Sequence, residues 1–172
     1  MNTRLVYLAS AQLILALILA ILVTFFSYKI FRYFLVKRYQ IQMDNFAFAL
    51  LSSSILFSVG YIISGTLQPA MNVIRILGQQ TKSTVELFLE SVRYISLFVG
   101  IGFVISSIIT LLGLFIFTQL TRNINEFEEI SKDNKAVGLI TGVIIIVIAM
   151  FVKDSTVLLL ESFIPYPKLL IN

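Results

Sequence analysis

Ile41-Gln42-Met43-Asp44-Asn45-Phe46-Ala47, running on to Leu50, and Ile130-Ser131-Lys132-Asp133-Asn134-Lys135-Ala136, running on to Leu139, are two copies of one short signature. Ile, Asp, Asn, Ala and Leu recur in step between them, 89 positions apart (41 to 130). An apolar run precedes each copy and another follows it. The chain therefore reads as a two-helix membrane unit used twice. Outside the signature, Arg4 aligns with Arg93, Leu22 with Leu111, Phe26 with Phe115 and Ile55 with Ile144. Each unit has two spans, so both enter the membrane the same way up. The expected fold is an all-α integral membrane protein with four transmembrane helices, arranged as two parallel tandem helical hairpins.

Composition points the same way. The chain of 172 residues is 58% hydrophobic and 13% charged. A soluble domain is about 45–50% apolar and about 25% charged, so a water-soluble fold has nowhere to put the excess. The charges are clustered. Leu5–Tyr28, Asn45–Ile74, Tyr94–Thr121 and Ala136–Val152 contain none. About 17–25 apolar residues cross the hydrocarbon core, and all four windows meet that length. The first window is too long for a signal peptide and lacks a small-residue cleavage site. Lys29, Arg32, Lys37 and Arg38 follow it like a stop-transfer flank, so this helix is expected to stay.

The absent residue types narrow the function. With no cysteine and no histidine, disulfides, a serine–histidine pair and the usual zinc and haem ligands are excluded. An aspartyl pair needs two carboxylates side by side at depth, and Asp44 and Asp133 stand at the membrane edge. The expectation is a protein that is not an enzyme and carries no cofactor. The pI near 9.4 suits anionic headgroups. Nucleic acid is not suggested, because the basic residues line membrane boundaries. The densest basic cluster, Lys29 to Arg38, closes the first helix. That predicts cytoplasmic loops after the first and third spans and both termini outside.

Along the chain, the expected units are 1–78 (first two-helix repeat), 79–91 (polar linker or interfacial segment) and 92–172 (second repeat). Proline lacks an N–H and crowds the preceding turn, so Pro69 should kink or end the second span. Ser83 and Glu86 form a capping-box pattern. The third span is then either very long or preceded by an interfacial piece around Val85 and Phe88. Between the third and fourth spans, Ile124, Phe127 and Ile130 recur every three residues. They predict a short amphipathic turn at the headgroups. The fourth span should start near Lys135 and stop before Pro165.

Three features could carry function. Asp44, Asn45, Asp133 and Asn134 suit helix N-caps, because their side chains accept from unpaired N–H groups at the positive end of a helix. They also suit a ring of acceptors at the pore mouth of an oligomer. Gly138 and Gly142 form a G-x-x-x-G, aligned with Ala49 and Ser53, and Gly60 and Ala149 continue that face. Small residues let helix backbones approach closely in lipid, so these six are expected to pack helices, within one chain or between copies. Ser54, Ser58 and Gln68 lie in an unusually polar second span, and could line a pore or bond back to their own helix.

The signature, an isoleucine followed by Asp-Asn and small residues opening a helix, resembles that of the bacterial inner-membrane family named domain of unknown function 350. The resemblance rests on Ile41, Asp44, Asn45, Ala47 and Ala49, and on Ile130, Asp133, Asn134, Ala136, Gly138 and Gly142. It covers nearly the whole chain. Family members usually carry glycines just past the motif, where the first copy here has Ser52-Ser53-Ser54. The resemblance implies a multi-pass protein of the bacterial inner membrane with no assigned reaction. It also implies a cytoplasmic membrane-stress partner.

Taken together, these readings predict a non-enzymatic, homo-oligomeric inner-membrane protein. Its partners are the lipid bilayer and further copies of itself. Its role is in membrane integrity or stress, or as a docking platform. The alternative is a small homo-oligomeric ion channel or solute transporter.

Overall fold

The computed structural model describes residues 3–39, 45–80, 84–120 and 126–164. Among the described residues the chain forms helices α1 (Thr3–Tyr39), α2 (Phe46–Gln80), α3 (Thr84–Leu120), α4 (Glu126–Ser131) and α5 (Lys135–Glu161), and no strand. Four segments are long and apolar enough to cross a membrane: Ala16–Tyr33, Phe46–Gly78, Val85–Ile116 and Lys135–Glu161. The chain is an all-α, multi-pass membrane protein.

One local expectation changes. Pro69 does not end the second span: α2 runs through it to Gln80. Only one intrahelical bond is lost, the one the Gly65 carbonyl would accept, and spanning helices tolerate that when neighbours pack around the break. Pro69 is buried among such neighbours. Of the two forms expected for the third span, the very long helix is the one present: α3 starts at Thr84 and continues unbroken through the span. Ser83 lies outside the described residues. The short amphipathic turn is α4, with Ile130 fully buried beneath it.

Glycines set the helix packing. α2 and α5 lie side by side and run in the same direction. Gly138 rests on the Ala47 backbone, Gly142 on Ser54, and Gly65 on Lys153 and Val157. A methyl group added at Gly138 would come 2.5 Å from the Ala47 carbonyl oxygen. α3 runs antiparallel to both, with Gly102 against Ile63 and Thr66 of α2, and Gly113 against Ile145 of α5. Lipid chains are as apolar as leucine, so close backbone packing replaces the hydrophobic drive of a soluble core.

Buried side chains fill the three-helix unit from end to end. Ala47, Leu51, Ile55, Ile130 and Ile145 occupy the signature end. Ile62, Ile109 and Ala149 form the middle. Val73, Phe98 and Leu160 close the far end. Hydroxyls in this core bond back to their own helices: Thr66 to Ile63, Ser106 to Gly102, Thr110 to Ser106, Thr141 to Val137 and Thr156 to Val152.

α1 stands apart from this unit. It packs on α2 and, at its C-terminal end, touches α4. Of its described side chains only Val23 and Ser27 are buried. Apolar crevices remain on its two flanks, one against α2 and one against α3.

Candidate functional site

The two signatures meet at one end of the bundle. α4 closes with a turn in which the Asp133 and Asn134 N–H groups donate to the Ile130 and Glu129 carbonyls, at 3.1 and 2.9 Å. The turn requires a left-handed residue, and Asp133 takes that place at φ 61°. Aspartate and asparagine tolerate this region better than other side-chain-bearing residues. Asn134 follows in extended conformation as the N-cap of α5, its Oδ1 accepting from the Val137 N–H at 3.4 Å. Its Nδ2 donates to Glu129 Oε2 at 2.8 Å, tying the cap back to α4.

The turn also points Asp133 away from its own helix. Asp133 Oδ1 accepts the Ala47 N–H at 2.8 Å, so it caps the first turn of α2. Asn45 holds the same helix end. Its Oδ1 accepts the Phe48 N–H at 2.7 Å, while its Nδ2 donates to the Ile130 carbonyl at 2.5 Å and to the Ser131 carbonyl at 3.2 Å. Asn45 is buried, so both halves of its amide need partners, and both have them. The start of α2 is thus locked to the turn between α4 and α5 by three hydrogen bonds. Asp44 and Ile41 lie outside the described residues.

Charge suits this end. The positive end of the α2 dipole faces the Asp133 carboxylate. On the outer side of α4, Lys132 Nζ donates to Glu128 Oε1 at 2.6 Å and lies 3.7 Å from Glu129 Oε1. That hydrogen bond and the lysine charge hold the Glu128 carboxyl below its ordinary range, and the same pair raises Lys132. The Lys135 ammonium sits 5.3 Å from the Phe46 ring centroid, across the start of α2 and α5.

The small-residue face divides. Gly138, Gly142 and Ala149 are buried and pack α5 into the bundle. Ala49 and Ser53 are exposed on the outer side of α2, and Gly60 is exposed in the crevice between α2 and α1. The α5 glycines meet the row of Ala47, Leu50 and Ser54 instead. Helical spacing groups Ala49 with Ser53, but the rotation of α2 about its axis is set by Asn45 and Leu51, which turn inward.

Ser54, Ser58 and Gln68, which could line a pore or bond back to their own helix, have different surroundings. Ser54 faces Gly142 and donates to the Leu50 carbonyl at 2.9 Å. Ser58 is buried and donates to the Ser54 carbonyl at 2.8 Å. Gln68 is exposed, its amide 3.4 Å from Asn72 Oδ1. Further along, the Lys153 ammonium lies 4.1 Å from the Tyr61 ring centroid, and its stem packs beside Gly65. Sequence reading did not single out Tyr61, Gly65 or Gly113. The two glycines carried a signal, since a glycine inside an apolar run marks close backbone approach. Tyr61 carried none.

The family model described as Domain of Unknown Function (DUF350) matches residues 2–156. No curated protein and no solved structure matches the chain. The matched segment contains both signatures, the first three spans, most of the fourth and the lock between the signatures, and the chain belongs to this family.

Proposed function

We propose that the chain is a non-enzymatic protein of the bacterial inner membrane, built from two hairpins inserted the same way up, which assembles with copies of itself and serves as a membrane-embedded docking platform. One observation carries this reading. The polar side chains that suit either a helix cap or a pore mouth are engaged in the frame: Asn45, Asp133 and Asn134 cap helices and join α2 to the α4–α5 turn. Ser54 and Ser58 bond back to α2. The parallel course of α2 and α5, with Ala47 on Gly138 and Gly65 on Val157, supports the duplicated hairpin.

Self-assembly draws on the outward face of α2, where Ala49 and Ser53 leave room for a close helix contact. Docking draws on the charged surface of α4 and the start of α5, where Glu128, Lys132 and Lys135 are exposed. The role in membrane stress draws on the same surface, and the basic cluster of α1 supports a cytoplasmic side for it. The channel reading keeps one observation of its own: Gly60, Ser64 and Gln68, spaced by four, are all exposed on α2.

Mass measurement in lipid nanodiscs tests the assembly, beside an A49L/S53L variant. An oligomer that falls to monomer in the variant fits the proposal. A wild-type protein that is strictly monomeric at all concentrations contradicts it.

A further inference from the structure

The two glycines that touch nothing both lie beside α1. A Cβ placed on Gly60 or Gly100 would meet no atom within 4 Å, whereas Gly65, Gly102, Gly113, Gly138 and Gly142 each bear closely on a neighbour. Glycine inside a helix costs up to about 1 kcal/mol relative to alanine. At the five packed positions close helix approach explains it. At Gly100 nothing in the chain does. Gly100 opens onto the crevice between α1 and α3, which has a volume of about 610 Å³. Val23, Val99 and Phe103 form its floor, and Leu22, Phe26 and Val104 its exposed rims.

Length and charge specify an occupant. Along α1 the crevice runs from Leu19 to Ile30, about 16 Å at the rise of an α-helix. One leaflet of a bilayer core is about 15 Å deep, half of the roughly 30 Å total. Lys29 neighbours Ile30, the last crevice residue of α1, and follows Phe26 by one turn and Leu22 by two; it is exposed, with its ammonium 5.8 Å from the Phe25 ring centroid and within reach of a headgroup at the end of the crevice. We infer that the crevice between α1 and α3 is a binding site for an anionic phospholipid of the adjacent leaflet, one acyl chain lying against Val99, Gly100 and Phe103 and the phosphate meeting the Lys29 ammonium. The open Gly100 is the space that chain fills. The loose seat of α1 is the condition for lipid to enter from the side.

The chain contains no tryptophan, so one introduced tryptophan reports on one position. F103W places it in the crevice. F151W places it on the outer face of α5, where Phe151 is 81% exposed. Each variant is reconstituted with brominated-chain phosphatidylglycerol or brominated-chain phosphatidylcholine, and quenching is compared. At position 103 the anionic lipid should be preferred roughly fivefold, the contribution of one lysine near an anionic headgroup. At position 151 the two should quench alike. K29A should remove the preference, and G100L should remove quenching at 103 in both lipids. F26W supplies an independent reporter should F103W fail to fold. Equal quenching by the two lipids at 103 would make this ordinary boundary lipid and overturn the proposal. So would an unquenched tryptophan at 103 beside a quenched one at 151, which would mean that protein, including a second copy, fills the crevice. A preference that survives K29A would overturn it as well.

Discussion

The Asp133 carboxylate accepts the Ala47 N–H at 2.8 Å, so a residue standing ahead of α5 caps α2. The cap joins the two hairpins at the point where their signatures meet. Removing an N-cap acceptor costs about 1 kcal/mol, within a range of roughly 0.5–2. D133A should lose about that much in reversible unfolding in mixed micelles. D133N keeps both an acceptor and a side chain that tolerates φ 61°, and should lose much less. D133G relieves the backbone but removes the acceptor, and should fall between them. Equal stability of all three would mean that the cap does not hold the hairpins.

Asn45 separates the two halves of an amide. Its oxygen caps Phe48 and its nitrogen donates to the carbonyls of Ile130 and Ser131. N45D preserves the first contact and sets a buried carboxylate against two carbonyl oxygens. It should destabilise by more than N45A, whose loss is about 1–3 kcal/mol for buried partners left unsatisfied. At Asn134 the order should be milder, because that residue is only half buried. Thermal unfolding of the four variants checks this. A result with N45D at wild-type stability would contradict the donation to Ile130.

The glycines split into packed and open sets, and a methyl group tells them apart. G138A drives a Cβ into the Ala47 backbone, and overpacking of that kind costs about 1–3 kcal/mol. G60A meets nothing within 4 Å. It should be neutral or stabilising by up to about 1 kcal/mol. Unfolding midpoints of the pair provide the check, and similar losses at both sites would contradict the packing described.

Much of this fold could be read in the chain. Four uncharged windows of membrane length fix the spans, because lipid penalises charge wherever it falls. The start of α5 at Lys135 follows from Asn134 before an apolar run. The continuation of α2 past Pro69 could not be read, because it depends on the helices packed around the break. Nor could the choice of Ala47 and Ser54, rather than Ala49 and Ser53, as the partners of Gly138 and Gly142. Periodicity groups residues on a face, while tertiary contacts decide which way that face turns. Asp133 illustrates the same limit. Its type announces a cap, but only the meeting of two hairpins shows which helix it caps.

The ion pair on α4 sets a pH window. Glu128 is held below its ordinary range by Lys132, so its contribution is present above the unfolded carboxyl value and is lost as pH falls through the lowered one. Lys132 is raised, so its contribution is present below the unfolded amine value and is lost as pH rises through the raised one. Both groups are fully exposed, so the effect on stability is small. The order of α4, read by hydrogen exchange at Glu129 to Lys132, should be flat across neutral pH and weaken at both extremes. K132M should abolish the acid limb. A transition near neutrality would contradict this assignment.

The central claim is that the repeated Asp-Asn signature locks the frame and does not line a pore. Ion flux through purified protein in liposomes tests it most directly, with wild type beside D133A and both variants verified as folded. The account predicts no cation or anion flux above protein-free liposomes for wild type, at any applied voltage, and none for D133A. Selective flux through wild type that vanishes or changes selectivity in folded D133A would contradict it, and would make Asp133 part of a conduction path.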